Sequence, residues 1–513
     1  MLDNVYRPSV SQFELDVYHQ VVPRDHYLQK ALKLIAWESF KDLLTPYYSR
    51  DEGRPAIDPV MMLKLEFLRY HHNLSDREVI ARTQTDLGFR LFLGLPLRGR
   101  LPDPSSLCIF RGRLGTDGFR KIFDQVIRLA REQGFVKDRL RVKDATHVIA
   151  DVAVPTALIL VAQVRDKLLE ATERFAPLMV EGERVNLELL RESTKRLEPT
   201  ERLAARVAHL KELLFWIDEL TPPPDAEDNR FWQAFLKRRD LSHKILRDHE
   251  NPRDGDHTVS ITDPDARRFQ HGDWFEGYML DIMMDPDSEI ITQVNVLAGA
   301  GQEARDALEL IRSEESAQGN DVQALSMDGA GFVGRVLREL EDPEGLNVDT
   351  YVPVPKLSEN ALFTPLDFPE DKEHGVVTCP AGQTSVSCHR DNYNERTKYI
   401  FSAATCAACP LLARCMKNAP KKTGRMVYKS DYQVEHQRAR HKTTTPEYAA
   451  VRHDHWKVER KLGEVANRHG GRRARYRGKP KVLIQAFMAT MATNVKRMVR
   501  LHCARTAEIS FQA

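Results

Sequence analysis

From residue 135 onward, strand and helix patterns follow one another in an order that few folds share. Strand patterns come first, in LRVKDATHVIADVAV, WFEGYMLDIMMDP (274–286) and EIITQVNVLAG (289–299). Helical spacing in QEARDALELIRSEE and GFVGRVLRELED then alternates with the short strands VQALSMD and TYVPVP. This order predicts a ribonuclease-H-like α/β core. No G-x-x-x-x-G-K-S/T motif follows a strand, which excludes the phosphate-binding P-loop layout.

The other long segments have helical spacing. Residues 1–133 predict an all-α N-terminal domain that binds DNA, with a helix-turn-helix-like pair over 74–89. A further helix should begin at Ser105 or Ser106 and expose Arg111 and Arg113. At 513 residues the chain is too long to fold around a single hydrophobic core, which predicts several structural units. These are the N-terminal domain, the first strand (134–155), a helical insertion (156–256), the later strands (257–369), a cysteine-rich insert (370–425) and a C-terminal helical, basic region (426–513).

A net charge of +2 conceals a strong asymmetry along the chain. Residues 416–505 contain 23 Lys and Arg against 6 Asp and Glu, and the basic run GRRARYRGK occupies 471–479. Such a region either binds a polyanion, with nucleic acid as the leading candidate, or forms a solvated basic face. With no signal pattern and no membrane-length apolar run, we expect a cytoplasmic, nucleoid-associated protein with reduced cysteines.

Acidic residues occur where this core would bring them together. Asp328 ends a predicted strand in LSMDGAGF, KDATHVIAD offers Asp144 and Asp151, and the late helix WKVERKLGEVANR offers Glu459 and Glu464. The first and fourth strands are neighbours in this core, and a late helix can add a third carboxylate. Paired divalent metals about 4 Å apart need such oxygen ligands. Alternatively, Asp328 caps the next turn and the glutamates pair with basic neighbours on an exposed helix face.

Several motifs, in order, resemble bacterial insertion-sequence transposases of the DDE type with an InsH-like N-terminal domain. They are GRPAIDPVMMLKLEFLRYHHNLSDREV, DLGFRLFLGL, LPDPSSLCIFRGRL, KDATHVIADVAV, ITDPDARRF, MDGAGF and VERKLGEVANRHGGRRARYRGKPKV. The resemblance implies a catalytic, metal-binding triad of Asp144, Asp328 and Glu459 with two Mg²⁺ (or Mn²⁺). It also implies nicking of double-stranded DNA at terminal inverted repeats, joining of the 3′ ends to target DNA, and a homo-oligomer in the DNA complex.

The chain departs from the family pattern at residues expected to contact phosphates. Phe332 stands where tyrosine is usual, His455 replaces an arginine, and Ala466 replaces a basic residue whose nearest substitute is Arg468. We therefore expect DNA contacts from a wider basic set: Arg452, His455, Arg468, Arg472, Arg473, Arg475, Arg477 and Lys479. The triad also leaves two other functions open: a catalytically silent DNA-binding protein, and a metal-dependent nuclease without strand transfer.

Five of the seven cysteines lie within 37 positions. Their spacing favours a structural zinc knuckle with Cys379, Cys406, Cys409 and Cys415 as ligands, leaving Cys388 and His389 as spares. Relatives similar to this chain carry a comparable insert before the glutamate helix. The alternative is a set of reduced thiols packed in a small loop domain. Both remaining cysteines, Cys108 and Cys503, are expected to be buried thiols.

Overall fold

The N-terminal part of the chain is a bundle of helices. The computed structural model describes residues 1–2, 5–6, 8–252, 256–271, 273–298, 302–355, 362–371 and 373–512. Asp58 caps the central helix of the bundle, Pro59 begins it, and the helix is buried along nearly its whole length. The helices are α1 (Gln12–Val21), α2 (Tyr27–Leu34), α3 (Lys41–Leu44), α4 (Pro59–His71), α5 (Asp76–Thr85), α6 (Leu87–Leu93) and α7 (Ser105–Glu132).

Three expectations need correction. The helices α5 and α6 adjoin at the single residue Asp86, which caps α6, so they lack the turn of about three to four residues that joins a helix-turn-helix pair. Arg111 is buried rather than exposed, because its guanidinium pairs at 2.5 Å with Glu66 of α4 and with Asp76 of α5. Cys108 is exposed and Cys503 is half-buried, so the expectation that both are buried thiols was wrong.

A six-stranded mixed sheet forms the second layer, and its central strand is β1 (Arg141–Ile149). The strand order is β2-β3-β1-β5-β6, and β4 also pairs with β3. Antiparallel β3 lies on one side of β1 and parallel β5 on the other. The other strands are β2 (Arg267–His271), β3 (Asp273–Asp285), β4 (Ile290–Ala298), β5 (Ala324–Ser326) and β6 (Asp349–Tyr351). The predicted strands at 274–286 and 289–299 correspond to β3 and β4, although residue 299 lies outside the described residues.

Four helices follow β1 before the sheet resumes: α8 (Ala157–Thr172), α9 (Pro177–Thr194), α10 (Pro199–Ile217) and α11 (Arg230–Glu250). They have their own apolar core, which includes Leu168, Leu210 and Phe235 and is separate from the core of the sheet. The helical segment therefore packs as a distinct unit.

After the sheet, a small cysteine-bearing unit leads to three C-terminal helices. The preceding helices α12 (Glu303–Gln318) and α13 (Gly334–Leu340) flank β5. The unit contains β7 (Glu370–Asp371), β8 (Val376–Val377), β9 (Ser387–Asp391), β10 (Arg396–Ile400), α14 (Ala403–Ala407), α15 (Leu412–Cys415) and β11 (Met426–Ser430), and α16 (Gln433–Lys442), α17 (Pro446–Arg468) and α18 (Lys479–Gln512) follow.

The last helix, α18, joins the two main layers. It packs against α4 and α7 of the N-terminal bundle and against β4 of the sheet. The fully buried amide of Asn494 donates to the Ile291 carbonyl at 2.7 Å and accepts the Ile291 N–H at 2.8 Å. The prediction of a mixed α/β chain with a helical N-terminal region is confirmed.

Candidate active site

Two of the predicted acidic residues lie at equivalent positions on adjacent parallel strands. Val142 of β1 is in register with Ser326 of β5, and Asp144 and Asp328 each follow two residues later. Because side chains alternate along an extended chain, both carboxylates lie at the same end and on the same face of the sheet. The strand register therefore brings Asp144 and Asp328 together.

Glu459 belongs to α17, which packs against β1, β5 and β6 and buries Val458 and Leu462. Its carboxylate interacts electrostatically with Asp144. Burial raises the pKa of Asp144, a hydrogen bond from the Ala145 N–H lowers it, and the negative charges of Asp328, Glu459 and Glu303 raise it, so that together they bring this pKa to about 6. The other two acids of the predicted triad, Asp328 and Glu459, therefore both act on Asp144.

Arg452 brings a positive charge to this site. Its Nη1 donates to the Met327 carbonyl at 2.7 Å and to Ser326 Oγ at 3.2 Å. Burial lowers the pKa of Arg452, while the acids of the triad act in the opposite direction. Arg452 therefore holds a fixed positive charge beside Asp328.

His455 is buried one turn before Glu459, and its Nδ1 lies 3.1 Å from Ser326 Oγ. Burial, reinforced by the charge of Arg452, lowers the pKa of His455 to about 4, so its ring is neutral at pH 7. The Arg452–Ser326–His455 contacts join the glutamate helix to the strand that carries Asp328. DNA contact by His455 remains a prediction, although this burial favours a positioning role.

The acidic residues of this region differ in whether neighbouring groups already bind their carboxylates. Asp328 does cap the next turn, since its Oδ1 accepts the Ala330 N–H at 3.1 Å. Glu464 is bound to Lys461 at 2.9 Å and Lys496 at 2.7 Å, and these bonds lower its pKa to about 2 although burial alone would raise it. Glu464 is thus a structural ion-pair partner. Asp151 is exposed beyond the end of β1.

Glu303 was missed by the sequence analysis. It opens α12 and contributes to the negative field at Asp144. The only sequence signal was an acid in the first turn of a helix, which is common because negative charge stabilises that end.

Two arginines of the basic run, Arg472 and Arg473, lie beside β1. Arg472 Nη1 lies 3.5 Å from Thr146 Oγ1, and the backbone of 472–474 pairs with Ile149, so this segment continues the sheet next to the Asp144 strand. Arg473 and Arg477 are exposed, as is Arg468. Arg475 instead donates to the Leu74 carbonyl at 2.7 Å and to Asn73, and so anchors the run to the helical bundle. Lys479 begins α18, and its backbone N–H donates to Asp265.

The charge of the site suits a metal, but the distances between its acidic side chains are not those of metal ligands. Asp328, Glu459 and Glu303 all act on Asp144, and such a concentration of negative charge is what divalent cations neutralise. Within the described parts of the chain, however, no three His, Cys, Asp or Glu side chains form a ready-made metal site. The predicted cysteine ligands line one cavity of about 30 Å³, and Cys388 and His389 lie on β9 outside it.

Comparisons with known proteins bear on this site. Residues 16–113 match the family model described as "Transposase domain (DUF772)", and residues 378–499, which include Glu459, match "Transposase DDE domain". The chain is also similar to "Uncharacterized protein ORF8 in nfe locus" of Rhizobium meliloti, with 27% identity over 132 residues. That alignment covers 25% of this chain and 63% of the rhizobial protein. No solved structure matches the chain. None of the described helices is long and apolar enough to cross a membrane.

Proposed function

We propose that this chain, which belongs to the DDE transposases of insertion sequences, cuts DNA at the ends of such an element and joins those ends to target DNA. The observation that carries the proposal is the register that aligns Asp144 with Asp328, with Glu459 acting on Asp144 from α17. The proposed core is ribonuclease-H-like. It is supported by the path β4-β3-β1-β5-β6 through the sheet, on which β4 shares β3 with β2. Of the two strands that pair with the central strand β1, β3 is antiparallel to it and β5 is parallel.

The proposed ligands of two Mg²⁺ (or Mn²⁺) are Asp144, Asp328 and Glu459. Bound divalent cations at such carboxylates activate an attacking oxygen and stabilise the leaving oxygen at phosphorus. The concentration of negative charge around Asp144 supports the assignment.

The chain's own residues would hold and orient the DNA. In the first step a water oxygen attacks phosphorus, the bond to the 3′ oxygen breaks, and that oxygen takes up a proton to become a 3′-hydroxyl. In the second step this hydroxyl loses its proton, attacks a target phosphorus and displaces a 3′ oxygen there. Arg452 and Arg472 are proposed to bind phosphate oxygens, and Ser326 and His455 to keep the glutamate helix in position; their contacts with β5 and β1 support these roles.

Double-stranded DNA is the proposed partner, and we assign its backbone to the exposed arginines Arg468, Arg473 and Arg477. The N-terminal helices are proposed to recognise the element ends, and a homo-oligomer is proposed to pair them. The arginine excess of the C-terminal region supports a polyanionic partner.

The test is a joining assay with the purified chain, a labelled inverted repeat, a target plasmid and Mg²⁺. Joined products from the wild type that vanish in Asp328→Ala, but persist in a variant of the exposed neighbour, Asp321→Ala, would support the proposal. Hydrolysed ends without joining would identify a nuclease instead. DNA binding without cleavage in Mg²⁺ or Mn²⁺ would identify a silent DNA-binding protein. Joining by Asp328→Ala would overturn the assignment of Asp328.

A further inference from the structure

We propose that Cys379, Cys406, Cys409 and Cys415 bind one structural Zn²⁺, which holds together the cysteine-rich unit between the Asp328 turn and the Glu459 helix. This site is independent of the proposed activity. The unit consists of β7 to β11 with α14 and α15.

The four thiols share one cavity, although 26 residues separate the first cysteine from the second. Its other walls are largely apolar and include Phe401, Leu412 and Met416. A cavity of about 30 Å³ has room for an ion, since roughly 10–15 Å³ of such space is enough to hold one water. Four thiols facing one small space form the donor set that zinc prefers in structural sites.

Backbone N–H groups already point at two of the sulfurs. Gln383 N lies 3.3 Å from Cys379 Sγ, and Arg425 N lies 3.4 Å from Cys406 Sγ. The first contact depends on a tight turn in which the Gly382 N–H donates to the Cys379 carbonyl, and Gly382 has a φ of +77° that favours glycine. Such donors stabilise sulfur in its thiolate form, which is the form that binds a metal.

Arg425 supplies the matching charge. Its side chain lines the cavity, and its Nε is buried without a hydrogen-bond partner among the described residues. Four thiolates and one Zn²⁺ carry a net charge of −2, which the half-buried guanidinium of Arg425 partly neutralises. A cation placed beside four neutral thiols would have no such counterpart, so the orphaned Nε fits the metal-bound state.

The unit has little apolar core with which to fold by itself. Its buried apolar residues are Phe368, Val377, Tyr399, Phe401 and Val427, and three of the cysteines pack against them. Small units with so few buried side chains usually require a metal or disulfides. The cysteines are free thiols in the structure, and thiolates select zinc over hard cations such as Mg²⁺.

Cys388 is excluded as a ligand by its position. It lies with His389 on β9, where both side chains are exposed and neither lines the cavity. Among the described residues the four thiols do not yet stand at metal-ligand spacing, so binding would include a closing movement of the short helices α14 and α15. Metal binding and ordering of the unit are therefore coupled.

The unit contacts the helix that follows the Asp328 turn, since Arg335 of α13 pairs with Glu395 between β9 and β10. The next helix after the unit, α16, packs on the turn itself, where His436 stacks on Phe332 with 4.7 Å between the ring centres. Release of the metal should therefore loosen the support of the Asp328 turn.

The experiment measures zinc per chain in the full-length protein purified without chelator. We expect about one zinc per chain in the wild type and in the control Cys388→Ser, and about tenfold less in Cys406→Ser and Cys409→Ser. Cobalt substitution of the wild type provides a second measurement that does not depend on how the variants fold. It should give the intense visible bands of a tetrahedral thiolate site.

Three results would overturn the proposal. The first is a wild-type protein that contains no zinc as purified, takes up none when zinc is added, and gives no visible bands when cobalt is added. The second is zinc that is lost in Cys388→Ser and kept in Cys406→Ser, which would mean a different ligand set. The third is a pair of disulfides among the four cysteines, detected as fewer free thiols in the freshly isolated protein.

Discussion

Replacing Ser326 by alanine should weaken both the fold and catalysis. Ser326 is fully buried, and its Oγ accepts from Arg452 and meets His455 Nδ1 at 3.1 Å. Alanine leaves the buried His455 nitrogen without this partner, which costs about 1–3 kcal/mol of unfolding free energy. Arg452 keeps its bond to the Met327 carbonyl, so the loss should lie within that range.

Cleavage should suffer more than DNA binding. Glu459 follows His455 by one helical turn on the same face of α17, so a shift of His455 is transmitted to the carboxylate. Misplacement of a reacting group by about 1 Å can cost on the order of 100-fold in rate. We expect a 10- to 100-fold slower cleavage rate, about 1.4–2.7 kcal/mol of barrier, with unchanged affinity for the DNA ends.

Denaturant unfolding and single-turnover cleavage of a labelled end measure the two effects. The matched control is Ser316→Ala on an exposed position of α12, which should change stability by less than about 0.5 kcal/mol. If Ser326→Ala behaves like this control in both assays, the contacts between β5 and α17 do not position Glu459, and the reasoning fails.

Two further predictions concern stability. Gly334→Ala should lower the unfolding free energy by about 1–3 kcal/mol, because the added methyl would lie 2.6 Å from Tyr432 Cγ. The control Gly463→Ala, whose methyl meets open space within α17, should raise the unfolding free energy by up to about 1 kcal/mol. Equal effects of the two variants in denaturant titrations would contradict the packing at Gly334. Burial lowers the pKa of His71 from 6.5 to about 3, so as the pH falls the histidine takes up a proton in the unfolded chain before it does so in the folded chain. The unfolding free energy should therefore fall as the pH drops from about 6.5 towards 3, by up to about 1.4 kcal/mol per pH unit. Unfolding measured from pH 7 to pH 5 should show a shallower loss in His71→Gln than in the exposed control His453→Gln, and identical slopes would refute the buried-histidine account.

Local patterns predicted the elements that carry the site. The strand predicted at 274–286 differs from β3 by one residue at each end, and the helix predicted after residue 302 is α12. Alternating or three- and four-residue apolar spacing reflects burial of one face, and that burial is a local property of the sequence. The prediction that Asp144 and Asp328 converge needed only the order of the strands, because order decides which strands are neighbours.

Side chains whose state depends on distant partners could not be predicted. Arg111 looked exposed on an amphipathic helix, yet Glu66 lies 45 positions away in sequence and binds it in the interior. Arg475 belongs to a basic run, and its partner Leu74 is 401 positions away. The effect of Glu303 on Asp144 depends on how α12 packs against the end of β1. Pairing energies of this kind arise only after the layers have packed.

The most direct measurement of the central claim is the rate of joined-product formation in Mg²⁺ by three variants that keep the size of each side chain. Asp144→Asn, Asp328→Asn and Glu459→Gln should each lose about 100-fold or more, as is typical when one charge-stabilising group is removed, while still binding the DNA ends. The control Asp321→Asn should join at the wild-type rate. Wild-type joining by any of the three variants would contradict the claim that these carboxylates form the active site.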